Sequence, residues 1–281
     1  MPDTVRQDIS GSGNIVAGSG DIIIRNLTLH SESKSKAKPR LPYEPEPVEV
    51  SSGPFMMGSA SAAGIPAQET PLHEVILPSF LIGKTPVTNR QYEAFVRMAG
   101  HEAPKGWLLR RPPAGCEEHP VIGVSWHDAA AYCAWLSAES GRIYRLPSEA
   151  EWEKAARSAD GRFYPWGNDW QDNCCNCASA STTPVTAFPA GASSYGCLDL
   201  LGNVREWTST IWGSSPAQTE FAYPFQQDGR DDLSPASASV FRIHRGGCYK
   251  NMPHDLRCAM RGFSAASSKL GHLGFRVIME P

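Results

Sequence analysis

The sequence predicts an α+β fold, rich in loops and poor in long helices, and three observations carry that prediction. Only three segments open with a helix-capping signal followed by an apolar stripe, at Thr88, Ser125 and Ser148. Elsewhere the apolar runs are short and separated by turn residues, which reads as short strands. The 281 residues include 25 Gly, 23 Pro and 8 Trp, a composition of many turns held together by aromatic packing. A few helices among many short antiparallel strands make an α+β domain.

In chain order, residues 1–30 form a Gly/Ser/Ile arm with an internal repeat. GSGNI at Gly11–Ile15 recurs as GSGDI at Gly18–Ile22, which suggests strand fragments parted by turns. Two such strands rarely stand alone, so the arm is expected to fray, to dock, or to associate with copies of itself. Residues 31–47 read as a linker, with a Lys/Arg run (Lys34, Lys36, Lys38, Arg40) and with Pro39, Pro42, Pro45 and Pro47, composition that stiffens a chain. The globular part is expected over 48–281. Phe55–Gly58 and Glu74–Leu77 read as strands. Thr88 with Gln91 forms a capping box ahead of a helix burying Tyr92, Phe95 and Val96. Ser125 with Asp128 is a looser cap for a helix burying Ala129, Tyr132, Cys133 and Leu136. Ser148 with Glu151 opens the last helix, which carries Trp152, Ala155 and Ala156. Trp126, Trp135, Trp152, Trp166 and Trp207 are expected in the core.

A formal net charge of −3 gives no global basic field for nucleic acid or an anionic membrane. No apolar run approaches the ~20 residues of a membrane span, and the N-terminus lacks the basic and apolar regions of a signal peptide. The expected setting is therefore the cytoplasm, with free thiols among the eight cysteines. Cys174, Cys175 and Cys177 cluster but lack a second pair at a zinc-like spacing, so loop or core thiols are expected there.

The segment Arg245–Val277 is the most informative. Arg245, Gly246 and Gly247 open it and Gly274, Phe275, Arg276 and Val277 close it; between them there is no hydrophobic period. Aromatics mixed with adaptable polar groups suit a surface that meets a partner.

The motifs, taken in order, resemble the formylglycine-generating-enzyme (sulfatase-modifying factor) family. They are GPFMMGS at 53–59, TPVTNRQYEAF at 85–95, HPVIGVSWHDAAAYCAWL at 119–136, RLPSEAEWEKAAR at 145–157, YPWGN at 164–168, LLGNVREW at 200–207, RGG at 245–247 and LGFRV at 273–277. The resemblance implies a C-type-lectin-like fold over about residues 50–281. Oxidase members of that family hold Cu(I) with two cysteines a few residues apart shortly after RGG, where soft thiolates suit the ion. Here Tyr249–Met252 and Pro253–Leu256 include no cysteine, and Cys248 and Cys258 stand at the wrong separation. The iron cluster H-x-x-x-H-x-E of a related branch has no counterpart. The resemblance thus implies a scaffold without the enzyme's metal, and the expectation drawn from it is that the chain is not an enzyme. It also implies calcium as an optional ligand at Asn203, Val204 and Glu206, whose oxygens suit a hard cation. A first family calcium site lacks its usual aspartate, since Thr186 stands there.

The same fold is used by variable proteins of diversity-generating retroelements, whose C-terminal segment is rewritten at adenines. RGG-Cys248-Tyr249, Pro253, Leu256-Arg257-Cys258-Ala259, Arg261 and Gly274-Phe275-Arg276 are similar to their pattern. The resemblance implies a fixed frame of Arg245, Gly246, Gly247, Arg257, Arg261, Gly274, Phe275 and Arg276. On it would stand an exchangeable, ligand-binding set: Cys248, Tyr249, Lys250, Asn251, Met252, His254, Asp255, Met260, Phe263, Ser264, Ser267, Ser268, Leu270, His272 and Leu273. The expectation is a ligand-binding protein, phage- or prophage-encoded among the options, whose partner is a protein or other macromolecule, with residues 1–30 serving assembly or docking. A divergent copper oxidase acting on protein cysteine and a fixed sensor or adaptor are the alternatives.

Overall fold

The computed structural model describes residues 39–233 and 240–280, together with the backbone of three strands nearer the N-terminus. The chain divides into two compact units, Met1–Pro39 and Arg40–Pro281. In the first, β1 (Arg6–Asp8), β2 (Asn14–Gly18) and β3 (Asp21–Ile24) form an antiparallel sheet in the order β1-β2-β3. Both Gly-Ser-Gly repeats thus lead into strands. The side chains of this arm, and Lys34, Lys36 and Lys38, lie outside the described residues.

The second unit begins within the stretch expected as linker. Tyr43 stacks on Trp135 at 5.2 Å, and buried Glu44 pairs with Arg142 at 3.0 Å, so residues 40–47 pack onto the domain. Its strands are β4 (Pro47–Val50), β5 (Gly53–Met57), β6 (His73–Leu77), β7 (Phe80–Gly83), β8 (Tyr144–Arg145), β9 (Arg205–Gly213), β10 (Phe241–Arg245), β11 (Arg261–Ala265), β12 (Leu273–Phe275) and β13 (Ile278–Met279). They make one sheet ordered β11-β10-β9-β12, a second ordered β4-β7-β13-β8, and the hairpin β5-β6. All pairings are antiparallel except β12 on β9. This is the expected α+β, loop-rich, C-type-lectin-like architecture.

The three helices start where capping chemistry places them: α1 (Asn89–Met98), α2 (Trp126–Ser140) and α3 (Glu149–Arg157). Each N-cap hydroxyl accepts from the third helical amide while that residue's side chain accepts from the N-cap amide, which satisfies two otherwise orphaned donors. Ser125 with Asp128 is therefore a full capping box. Gly141, at φ 72°, ends α2 in the left-handed conformation glycine tolerates best.

Two apolar clusters fill the unit. One packs Trp152, Ala155 and Ala156 of α3 against Phe55, Met57, Ile82, Leu200 and Cys258. The other packs Tyr92, Phe95 and Val96 of α1 and Trp126, Tyr132 and Leu136 of α2 around Trp207, Leu273 and Phe275. Trp126, Trp152 and Trp207 are buried, while Trp135 and Trp166 pack partly exposed against these clusters. The C-terminal segment is thus anchored at its end in a core. Among the described residues no helix is long and apolar enough to cross a membrane.

Candidate functional site

The frame of the C-terminal segment is built on four arginine–carboxylate clamps, three of them buried and that of Arg257 partly so. Arg245, at the end of β10, pairs with Glu153 and lies 3.7 Å from Glu149, with its guanidinium 5.5 Å from the Trp152 ring centre. Arg261, opening β11, makes two bonds to Glu149, at 2.8 and 2.9 Å, and lies 4.2 Å from the Tyr223 ring centre. Arg257 grips Glu69 at 2.5 and 2.7 Å, and Arg276 grips Glu206 at 2.6 and 2.8 Å. At Arg257, Arg261 and Arg276 two parallel N–H···O bonds fix the guanidinium in direction as well as place, whereas Arg245 holds Glu153 through Nη2 alone, the same nitrogen that donates to Cys258 O at 2.9 Å. Burial works against the Glu153 carboxylate, yet Arg245 and Arg157 outweigh it and hold that group below the usual carboxylate range.

Glycine is required between the clamps. Gly246 and Gly247 have φ of 91° and 67°. A Cβ at Gly247 would stand 2.3 Å from Leu256 Cδ2, and one at Gly246 would stand 2.8 Å from the Leu200 carbonyl oxygen. Beyond them the loop is sewn to its neighbours through the backbone: Tyr249 N donates to Asn203 O at 3.0 Å, Ala178 N to Asn251 O at 2.8 Å, and Ser179 N to Tyr249 O at 2.7 Å.

The predicted ligand-binding set divides on this frame. Lys250, Met252, His254, Ser267 and Leu270 are exposed; Asn251, Asp255, Met260, Phe263, Ser264, Ser268 and His272 are half-buried. Phe263 stacks on Trp212 at 4.2 Å on the edge strand β11. Three members do not belong to an exposed face. Cys248, Tyr249 and Leu273 are buried, because the RGG turn folds Cys248 and Tyr249 beneath the loop and Leu273 enters a core as the first residue of β12. Cys258 is fully buried as well, and burial pushes its thiol up, away from the thiolate form. Cys248 and Cys258 are thus both interior. Cys174 and Cys175 are likewise buried, with burial raising both thiols.

Calcium held jointly by Asn203 and Glu206 does not fit. Both Glu206 oxygens are occupied by Arg276, and one also accepts from Trp152 Nε1 at 2.9 Å. A cation there would face a guanidinium. The Asn203 amide is spent too, accepting from Thr183 N and donating to Thr183 O and Asp199 Oδ2. No group of three or more His, Cys, Asp or Glu side chains is arranged for a metal among the described residues.

Sequence reasoning missed the partner carboxylates. Glu149 and Glu153 are four apart and so share a face of α3, a spacing that could have paired them with the tail arginines. It also missed Arg205, which hides inside a family motif. Arg205 opens β9 beside the loop; its Nε is buried without a hydrogen-bond partner, and its backbone N donates to His272 O at 2.9 Å.

The frame and its loop-borne face define a protein of the formylglycine-generating-enzyme type. The chain belongs to the sulfatase-modifying factor family: the family model described as "Sulfatase-modifying factor enzyme 1-like domain" matches residues 31–281. A serine/threonine-protein kinase pkn1 of Chlamydia caviae is 34% identical over 87% of this chain, which spans only 39% of that protein's length. The formylglycine-generating enzyme of Streptomyces coelicolor is 33% identical over 82% of this chain and 87% of its own. The hercynine oxygenase of Mycolicibacterium smegmatis is 31% identical over 77% of this chain and 57% of its own. Among solved structures, PvdO from Pseudomonas aeruginosa superposes with TM-score 0.69 at 26% identity, covering 86% of this chain and 96% of its own. Treponema denticola variable protein 1 shares the fold, with TM-score 0.64 at 21% identity over 84% and 95%.

These relatives overturn one expectation. The missing copper cysteines suggested that the chain is not an enzyme, whereas relatives named as enzymes at this identity place it in an enzyme family. The absence of one thiolate pair removes one metal chemistry at one place, and catalysis by other groups is untouched by it.

Proposed function

We propose that this family member recognises a macromolecular ligand with the exposed part of its C-terminal segment, and that this part is the exchangeable region of a variable protein. The proposal concerns recognition within an enzyme family. One observation carries it: the exposed side chains of Lys250, Met252, His254 and Leu270 stand on loops whose backbone is fixed by clamped arginines and two tight glycines. Side chains that bury little on folding can change at small cost in stability, while the clamps keep the display geometry constant. Aromatic and long apolar anchors supply most of the binding energy at such faces, and Met252, Phe263 and Leu270 are of that kind. Residues 1–30 would then serve assembly or docking.

The gene locus tests the reading. The expected finding is a near-copy of the DNA for residues 248–272, differing at adenines and lying beside a reverse transcriptase, with variation among isolates at the exposed codons and none at Arg245, Arg257, Arg261 or Arg276. A locus with no such copy, and isolates identical through 250–272, would sink it.

A further inference from the structure

Of the large apolar side chains among the described residues, the two most exposed are neighbours, Leu108 at 81% and Leu109 at 95%. They stand at the tip of a turn closed by two bonds: Leu108 N donates to Arg111 O at 3.1 Å, and Arg111 N donates to Leu108 O at 2.9 Å. Its central residues, Leu109 and Arg110, have φ of 49° and 64°. Two left-handed residues in succession suit Asn-Gly, and a leucine there is strained. The turn is nonetheless held from below. Arg110 Nη2 donates to Val96 O at 2.7 Å and to His101 O at 2.8 Å, which ties it to the end of α1. Trp107, half-buried at its root, packs edge-on against Tyr92 with ring centres 6.2 Å apart. A single exposed leucine is ordinary. Two adjoining ones on a strained, anchored tip keep apolar surface in water that the fold does not use. The surroundings are basic. From Arg97 to Gly115 the chain carries Arg97, Lys105, Arg110 and Arg111, all exposed, against one acid, Glu102, which pairs with Lys269 at 3.0 Å.

We infer that the Leu108–Leu109 tip inserts into the interfacial layer of an anionic phospholipid bilayer, with Lys105 and Arg111 among the headgroups and Arg110 holding the tip to α1. A bilayer takes up a projecting apolar tip without a cleft shaped for it, and basic residues behind the tip meet the anionic groups of the lipids. Trp107 at the root suits the depth of the headgroups, where an indole keeps one side apolar and one wet. The attraction is local, since the chain as a whole carries a net charge of −3. This contact goes beyond the recognition reading and uses none of the residues of the C-terminal face.

The test is cosedimentation of the full chain with vesicles of phosphatidylcholine alone and with vesicles of equal parts phosphatidylcholine and phosphatidylserine. The mixed vesicles are expected to carry the protein down and the neutral ones to carry far less. Leu109→Gly is the informative variant. Glycine relieves the left-handed φ, so this variant should melt no lower than the parent. It also removes an inserted side chain, so its partition onto mixed vesicles should fall about tenfold. Arg111→Gln should lower that partition about fivefold, the share of one basic residue at an anionic surface. Lys34, Lys36, Lys38 and Arg40 are present in parent and variants alike, so the differences read the tip alone. Equal partition of the parent and Leu109→Gly, or no binding to the mixed vesicles, overturns the inference. So does a fall in solution mass caused by Leu109→Gly in the absence of vesicles, which would assign the tip to a second copy of the chain.

Discussion

At the scale of single residues, the clamps are the most exposed to change. Glu69 is almost completely buried and is held by Arg257. Removing one member of a buried pair strands the other charge, so Arg257→Met should cost about 3–5 kcal/mol, read from the denaturant midpoint. Adding Glu69→Gln should recover part of that loss; a double variant no better than the single one would refute the clamp. Two buried groups set opposite pH dependences. Burial raises the Asp199 carboxyl to about 7, against ~3.9 in an unfolded chain. Between those values the native state holds more protons, so stability falls as pH rises through the window. Asp199→Asn should therefore match the parent near pH 4 and be the more stable above pH 7, by thermal melting. Burial, then Arg205, pushes His244 down to about 3, against ~6.5 unfolded. There the unfolded state binds more protons, so this contribution is lost as pH falls through the window. The arginines and glycines of the tail were legible because rigid, repeated residue types bracket an aperiodic stretch. Their carboxylates were not: Glu149 sits inside a capping motif, and Glu206 reads as a cation ligand until Arg276 is placed beside it.

At the scale of elements, α3 connects local sequence to the site. Its capping box fixes where the helix begins, and its next turns deliver Glu149 and Glu153 to Arg261 and Arg245. Ser148→Ala should cost about 1 kcal/mol, the usual loss for a cap. Because the cap holds the clamp's carboxylates, hydrogen exchange should quicken in β10 and β11 as well as in the first turn of α3. Faster exchange confined to the first turn would separate cap from clamp. All three helices were legible because caps are local chemistry. The strand β9 was not, since eight of its residues from Glu206 to Gly213 are nearly all buried, which erases the alternation that marks a half-exposed strand. Cys248 and Tyr249 misled for a related reason: a left-handed Gly-Gly turn reverses which side of the chain faces solvent, and composition carries no record of that.

At the scale of the whole molecule, the division at Pro39 makes the arm separable in principle from the unit that carries the site. The unit Arg40–Pro281 holds both apolar clusters and all four clamps, so it is expected to fold without residues 1–39. Deleting those residues should leave the melting temperature of the remainder within a few degrees of the parent. The mass in solution is the informative readout. A three-stranded sheet of short strands is marginal alone, and pairing with copies of itself would cover its edges. If the arm assembles the protein, the full chain should sediment as an oligomer and the shortened chain as a monomer. Many weak contacts of one face would then act together on a ligand that repeats its own binding group, raising apparent affinity well above that of a single face. Equal masses before and after deletion would remove the assembly role. A face that gains nothing in apparent affinity from the arm would have to bind its ligand one copy at a time.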